Sequence, residues 1–240
     1  MNKLGLIGGI GPESTVLYYK EIVSAVQQAE GRPFFPNLTI ESLNVFKILS
    51  YCSTKDYYGL IDYVGKGIAN LAGAGADFAA LTGNTPHLVF DELQRRSPIP
   101  LVSSVEVTCQ AAVAAGMKQV ALLGTIFTME EDFFKAPFRR HGIRVVIPTA
   151  EERGFMKEAI EKELEFGIVR EETQAKLGDI ARRLARQEGA EAVILGCTEL
   201  PLAFKDVSSP VPYLDTMRLH IAELVRQILA AESLKKTVEE

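Results

Sequence analysis

An internal repeat constrains this chain more than any other feature. Residues Gly75–Thr85 can be laid over Gly189–Glu199, 114 positions later, which sets Gly83 opposite Cys197. Lys3–Gly9 lies over Lys118–Gly124 at a shift of 115. Two independent pairs of apolar, strand-length segments that agree within one residue indicate duplication of an α/β half rather than a solenoid. The expected domains are 1–100 plus 210–240, a first half carrying a C-terminal helix, and 101–209, a second half. A chain of 240 residues is long enough to bury a sizeable core.

Strand and helix patterns alternate along the sequence. Lys3–Ile7, Leu38–Leu43, Asp77–Leu81, Leu101–Val102, Val120–Leu123, Arg144–Ile147 and Ala192–Leu195 read as strands. Pro12, just after the glycine turn Gly8–Gly11, suits the first turn of a helix, where its missing N–H has no partner to lose. Asp56–Ala74 reads as a long helix. This alternation predicts an α/β fold of two pseudo-symmetric halves, each a parallel sheet flanked by helices. Parallel sheets bind ligands outside the carboxyl ends of their strands. Four turns sit there: Gly8–Thr15, Thr82–His87, Gly124–Met129 and Gly196–Pro201. Two halves facing one another would bring them to one cleft, the expected active site.

Composition narrows the partners. With 26 basic against 31 acidic residues and a net charge of −5, no basic stripe for nucleic acid is expected. Apolar runs such as Ala79–Leu81 and Val193–Leu195 fall far short of the roughly 20 residues of a membrane span. The sequence opens directly on a strand pattern with no leader, so a cytoplasmic protein is expected. Three cysteines at unrelated spacings, Cys52, Cys109 and Cys197, suggest neither a disulfide framework nor a zinc motif, and no metal is expected.

Cys197 follows an apolar strand directly. A thiol there could sit at a helix amino terminus, whose N–H groups would lower its pKa and populate the thiolate. A buried packing cysteine is the plainer alternative. Cys109, in the apolar run Val105–Ala115, reads as core, and Cys52 as part of a polar, loop-like stretch. Asn84, Thr85 and Thr198 offer amide, hydroxyl and backbone donors for a carboxylate, and are also ordinary turn and cap residues. His87 could orient a substrate or be a structural histidine. The Gly8–Thr15 turn has Ser14 where a dinucleotide fingerprint needs a third glycine. It fits a small anion better, with Gly9 and Ser14 as candidate contacts and Thr125 and Thr128 as counterparts in the second half. Lys157–Arg186 is charge-rich with helical spacing and reads as a solvated face, or as a surface that could pack against a partner subunit.

Together these motifs resemble the aspartate/glutamate racemase superfamily of cofactor-independent enzymes. The matching segments are Gly8–Thr15, Asn84–His87, Gly124-Thr125 with Thr128, Gly196–Pro201, Glu163-Leu164 with Gly167, and Pro212–Thr216. The resemblance implies two α/β halves with the site between them, a homodimer, and α-proton exchange by a thiol on each face of a small amino-acid or carboxylic-acid substrate, without pyridoxal phosphate. In that family the position before Asn84 carries the first thiol and the position of Cys197 the second. Here Gly83 holds the first position, and it has no side chain with which to move a proton.

The reading that follows is an amino-acid racemase in which Cys197, assisted by Glu199, serves one face and Thr82, Thr85 or water the other. Asn84, Thr85, Thr125 and Thr198 would hold the α-carboxylate. The alternatives are a one-cysteine decarboxylase resembling the arylmalonate decarboxylases, and a silent small-acid binding protein. Gly83→Cys is expected to raise racemisation if the loss of the first thiol limits the rate, and no gain would mean that another residue already serves that face. Family members for acidic substrates use Arg and Lys for the distal carboxylate. Here the segment after the second strand offers Lys47 but no Arg, and Glu165 stands where the family can place a Lys. An acidic group there repels a second carboxylate, which leaves neutral or cationic side chains open.

Overall fold

The computed structural model describes residues 1–236, with side chains described through residue 230. The chain forms two units, Met1–Ser104 together with the segment from His220, and Val105–Leu219. The first unit runs β1 (Leu4–Gly8), α1 (Pro12–Glu30), β2 (Leu38–Ser42), α2 (Val45–Ser53), α3 (Tyr57–Gly73), β3 (Phe78–Leu81), α4 (Phe90–Arg96) and β4 (Leu101–Val102). Its four strands are all parallel, in the order β2-β1-β3-β4. β1 and β3 are buried along their whole length, which explains why they read as continuous apolar runs rather than alternating ones. Gly5 lets α3 lie close on the sheet, since a Cβ there would stand 3.0 Å from Leu71.

The second unit continues with α5 (Ser104–Ala114), β5 (Gln119–Leu123), α6 (Ile126–Glu130), α7 (Asp132–Arg140), β6 (Arg144–Val146), α8 (Ala150–Lys162), α9 (Glu171–Gln187), β7 (Val193–Leu195), α10 (Leu200–Phe204) and β8 (Tyr213–Asp215). α11 (Thr216–Lys236) closes the described chain. The sheet order is β6-β5-β7-β8, again parallel. This is the order of the first sheet shifted by four strands, so the sequence repeat is a structural one. The first matched pair of segments contains β3 and β7, and the second contains β1 and β5. The core of this unit is built from β5 and β7 with the stacked rings of Phe134 and Phe138 at 5.8 Å. Leu122, fully buried there, would cost about 2–5 kcal/mol on truncation to Ala.

Three local expectations change. The stretch around Cys52 is helical: Asn44 caps α2 by accepting from the Phe46 N–H, and the helix buries Ile48 and Cys52. The charge-rich run after Lys157 is two helices rather than one face. α8 starts at a reciprocal cap between Thr149 and Glu152. The break comes at a single 3₁₀ turn, Leu164–Phe166, ended by Gly167 at φ 70°. β8 escaped the sequence reading because three half-buried residues carry little apolar signal.

In the first unit, His220 of α11 is fully buried. Its Nδ1 lies 2.8 Å from the Tyr18 hydroxyl and its Nε2 3.1 Å from the Val102 carbonyl. A carbonyl can only accept, so Nε2 carries the proton and Nδ1 accepts from Tyr18. This ties α11 to α1 and β4. Among the described residues, no helix is long and apolar enough to cross a membrane.

Candidate active site

β5 and β7 are neighbours, with Leu123 in register with Leu195, so the turns that follow them emerge side by side. Glycine makes this contact possible. A Cβ at Gly124 would lie 3.0 Å from Thr128 Cγ2 and 3.4 Å from the Gly196 carbonyl carbon, and one at Gly196 would lie 2.9 Å from the Leu123 oxygen. On the β5 side, the Thr125 hydroxyl caps α6 by accepting from the Thr128 N–H, and it lies 3.0 Å from the Thr128 hydroxyl. On the β7 side stand Cys197, Thr198 and Glu199. The second unit thus gathers Thr125, Thr128, Cys197, Thr198 and Glu199 at one sheet edge.

Cys197 is nearly enclosed, with 8% of its surface exposed. Its thiol donates to Glu199 Oε2 at 2.9 Å, and the Thr198 hydroxyl donates to the same oxygen at 2.9 Å. The expected lowering of the thiol pKa by a helix amino terminus is overturned. Burial, the adjacent Glu199 carboxylate and, further off, Glu165 push the thiol well above its ordinary range. α10, which follows the turn, has only five residues, and its few aligned peptides are outweighed by carboxylates. Cys197 is therefore held as a thiol hydrogen-bonded to a carboxylate. Once ionised, it is a strong base.

The first unit repeats the arrangement at the ends of β1 and β3. Gly9, at φ 75°, donates its N–H to the Thr15 hydroxyl at 2.9 Å. The buried Ser14 hydroxyl donates to the Gly11 carbonyl at 2.8 Å. Thr82 is fully buried, donates to the Ile7 carbonyl at 3.1 Å and lies 3.3 Å from Thr15 Oγ1. The hydroxyls of Ser14 and Thr82 are thus engaged in holding β1, α1 and β3 together. Thr85 opens a 3₁₀ turn, Thr85–Val89, and is half-buried. Asn84 accepts the Ser104 hydroxyl on Oδ1 at 2.6 Å, and the same hydroxyl lies 3.3 Å from His87 Nε2. His87 stacks on Phe90 at 4.9 Å. Burial, followed by the neighbouring His220, lowers its pKa to about 3, so it is neutral near pH 7.

The space at position 83 is closed. A Cβ on Gly83 would come within 2.6 Å of Ile10 Cγ2 and 3.1 Å of the Ile10 carbonyl oxygen. A cysteine at position 83 therefore requires Ile10, which already fills that volume, to shift. Sequence reasoning passed over Ile10 and Ser104. Ile10 lies inside the glycine turn and could have been suspected, whereas nothing in the pattern singles out Ser104. Among the described residues, no group of three or more His, Cys, Asp or Glu is placed to hold a metal ion.

Comparison with known proteins adds the following. The model of the Asp/Glu/hydantoin racemase family matches residues 7–224. The broad specificity amino-acid racemase RacX of Bacillus subtilis (strain 168) is 23% identical, over 96% of this chain and all of that protein. The crystal structure of an aspartate racemase homologue from Pyrococcus horikoshii OT3 superposes with a TM-score of 0.83 at 34% identity, covering 95% of this chain and 99% of that one. An arylmalonate decarboxylase structure shares the fold at a TM-score of 0.53 and 14% identity, covering 94% and 92% of the two chains.

Proposed function

Because this chain belongs to the Asp/Glu/hydantoin racemase family, we propose that it is an amino-acid racemase that exchanges the substrate's α-proton through Cys197 without pyridoxal phosphate. The observation that carries this reading is the Cys197–Glu199 hydrogen bond at the carboxyl edge of β7.

The proton path has two transfers. The Cys197 S–H gives its proton to Glu199 Oε2, along the bond already present, and leaves a thiolate. The thiolate then takes the α-proton, and the C–H electron pair spreads into the substrate carboxylate. A proton delivered by water or Thr85 on the face opposite Cys197 inverts the centre, whereas return from Cys197 exchanges the proton without inversion. Glu199 gives its proton back to the solvent or the thiolate to close the cycle. An α-proton is a weak acid, so a thiol whose environment raises its pKa yields a base of useful strength, at the cost of a small ionised fraction. Glu199 supplies the acceptor that forms it. Donors on Thr125 and Thr198 would stabilise charge that grows on the carboxylate as the proton leaves, which is where binding raises rate rather than affinity alone. Asn84 and Thr85 are proposed as further carboxylate contacts.

A second reading has a specific observation behind it. The filled volume at position 83 removes the family's other thiol position, which suits chemistry that needs a single proton donor, such as decarboxylation of a substituted malonate. Incubation with a panel of amino acids in deuterium oxide separates the two. Deuterium at the α-carbon with loss of optical purity supports racemisation. No exchange, with carbon dioxide released from 2-substituted malonates, supports the second reading.

A further inference from the structure

Asn84 stands at the N-cap of the 3₁₀ turn Thr85–Val89, yet its side chain makes no capping hydrogen bond there. An asparagine at such a position ordinarily spends its oxygen on the N–H groups of the turn that follows. Thr125 does so before α6. The Asn84 oxygen is taken instead by Ser104, whose hydroxyl donates to Oδ1 at 2.6 Å, the length of a strong O–H···O bond. Asn84 is therefore more than the turn residue its type suggests.

The first sheet brings these two residues together. β3 and β4 are parallel neighbours, with Ala80 in register with Val102, so the turn that leaves β3 meets Ser104 at the start of α5. His87 Nε2 lies 3.3 Å from the same serine oxygen, and the imidazole is held by stacking on Phe90 with 3° between the ring planes. Asn84, His87 and Ser104 are all buried, which restricts rotation of each. A serine hydroxyl has one proton to give, and this one is committed to the amide oxygen.

Which end of an amide faces a ligand decides what it binds. A carboxylate only accepts hydrogen bonds, so it needs the NH2 end. We propose that Ser104 is a positioning residue: by holding the Asn84 amide oxygen, it makes the NH2 group the end presented to the substrate carboxylate. This rests on the reading of Asn84 as a carboxylate contact at the carboxyl end of β3, where parallel sheets bind ligands. An amide free to flip would spend part of its time turning its oxygen toward the carboxylate. Charge on that carboxylate grows as the α-proton leaves, so loss of Ser104 weighs on the transition state more than on the bound substrate.

The test is a double-mutant cycle of Ser104→Ala and Asn84→Ala, read on α-deuterium exchange of the amino acid that wild type exchanges fastest. Ser104→Ala should lower kcat by about tenfold or more and change KM by less than about threefold. In the Asn84→Ala background the same substitution should change kcat by less than about threefold, because no amide remains to be held. A residue that only supports the fold lowers stability in both backgrounds without this coupling in kcat. Ser104→Cys, close in size but a weak donor, carries the same comparison if Ser104→Ala does not fold. Equal losses in the two backgrounds, or a wild-type kcat without the serine hydroxyl, overturn the proposal. If wild type exchanges no amino acid, the Cys197 reading fails by itself, and the cycle is read on calorimetric affinity for methylmalonate. Ser104→Ala must then weaken binding by about threefold or more only where Asn84 is present, and unchanged or absent binding overturns the assignment.

Discussion

The Cys197 sulfur lies 2.9 Å from Glu199 Oε2, and that oxygen also accepts the Thr198 hydroxyl. One carboxylate oxygen thus orients two neighbouring side chains and opposes ionisation of the thiol. The resting form is therefore the neutral thiol, and in the proposed mechanism Glu199 is the group that receives its proton.

This gives Glu199→Gln two effects of opposite sign. The amide removes the negative charge that raises the thiol pKa, so Cys197 ionises more readily. Alkylation of Cys197 by iodoacetamide at pH 8, followed on its peptide by mass spectrometry, should become several-fold faster than in wild type. The amide also removes the proton acceptor, so α-proton exchange should slow by about a hundredfold or more. Faster exchange in this variant would show that Glu199 only restrains the thiol.

In wild type, alkylation at Cys197 should climb steeply as pH rises past the ordinary thiol range, because the thiolate forms only there. Exchange should rise with pH in the same direction. A thiol that reacts fully at pH 7 would contradict the raised pKa.

The Ile10–Gly83 contact predicts a coupled pair of substitutions. Gly83→Cys alone forces the new Cβ against Ile10, which should cost about 1–3 kcal/mol of stability without raising exchange. In the Ile10→Ala background, where the clash is relieved, the cost of Gly83→Cys should shrink or vanish. Denaturant midpoints of the four proteins form a double-mutant cycle, and additive costs would contradict the contact.

The repeat, the α/β class and the strand-end turns were legible in the sequence, because β1, β3, β5 and β7 are continuous apolar segments each followed by a turn carrying glycine or polar residues. The residues of the candidate site were legible for the same reason: they sit at the first positions after those strands. What could not be read was the electrostatics of Cys197. Its position suggested help from a helix amino terminus, while the outcome depends on Glu199 folding back two residues and on Glu165 arriving from a turn more than thirty residues earlier. The filling of position 83 by Ile10 is likewise a contact between two strand ends, invisible until β1 and β3 are paired.

The buried histidines predict an acid-sensitive fold. Burial first of all lowers His220 to about 4 and His87 to about 3, against a reference value of 6.5. The folded state resists a proton that the unfolded chain accepts. Stability from these groups is therefore complete above about pH 6.5 and is lost as pH falls toward the folded values, by up to about 1.4 kcal/mol per pH unit for each histidine. Denaturant unfolding at pH 7 and pH 5 should show this loss, and His220→Gln, which removes one titrating group, should reduce the difference between the two pH values. An unchanged difference would rule out His220 as a source.

The most direct measurement is α-deuterium incorporation by Cys197→Ser in deuterium oxide, beside wild type, using whichever amino acid wild type exchanges fastest. The hydroxyl is slightly smaller than the thiol and can still donate to Glu199, but it is a far weaker acid. Exchange should fall by about a thousandfold or more while calorimetric affinity for the same amino acid changes little. Exchange at the wild-type rate in Cys197→Ser would contradict the account.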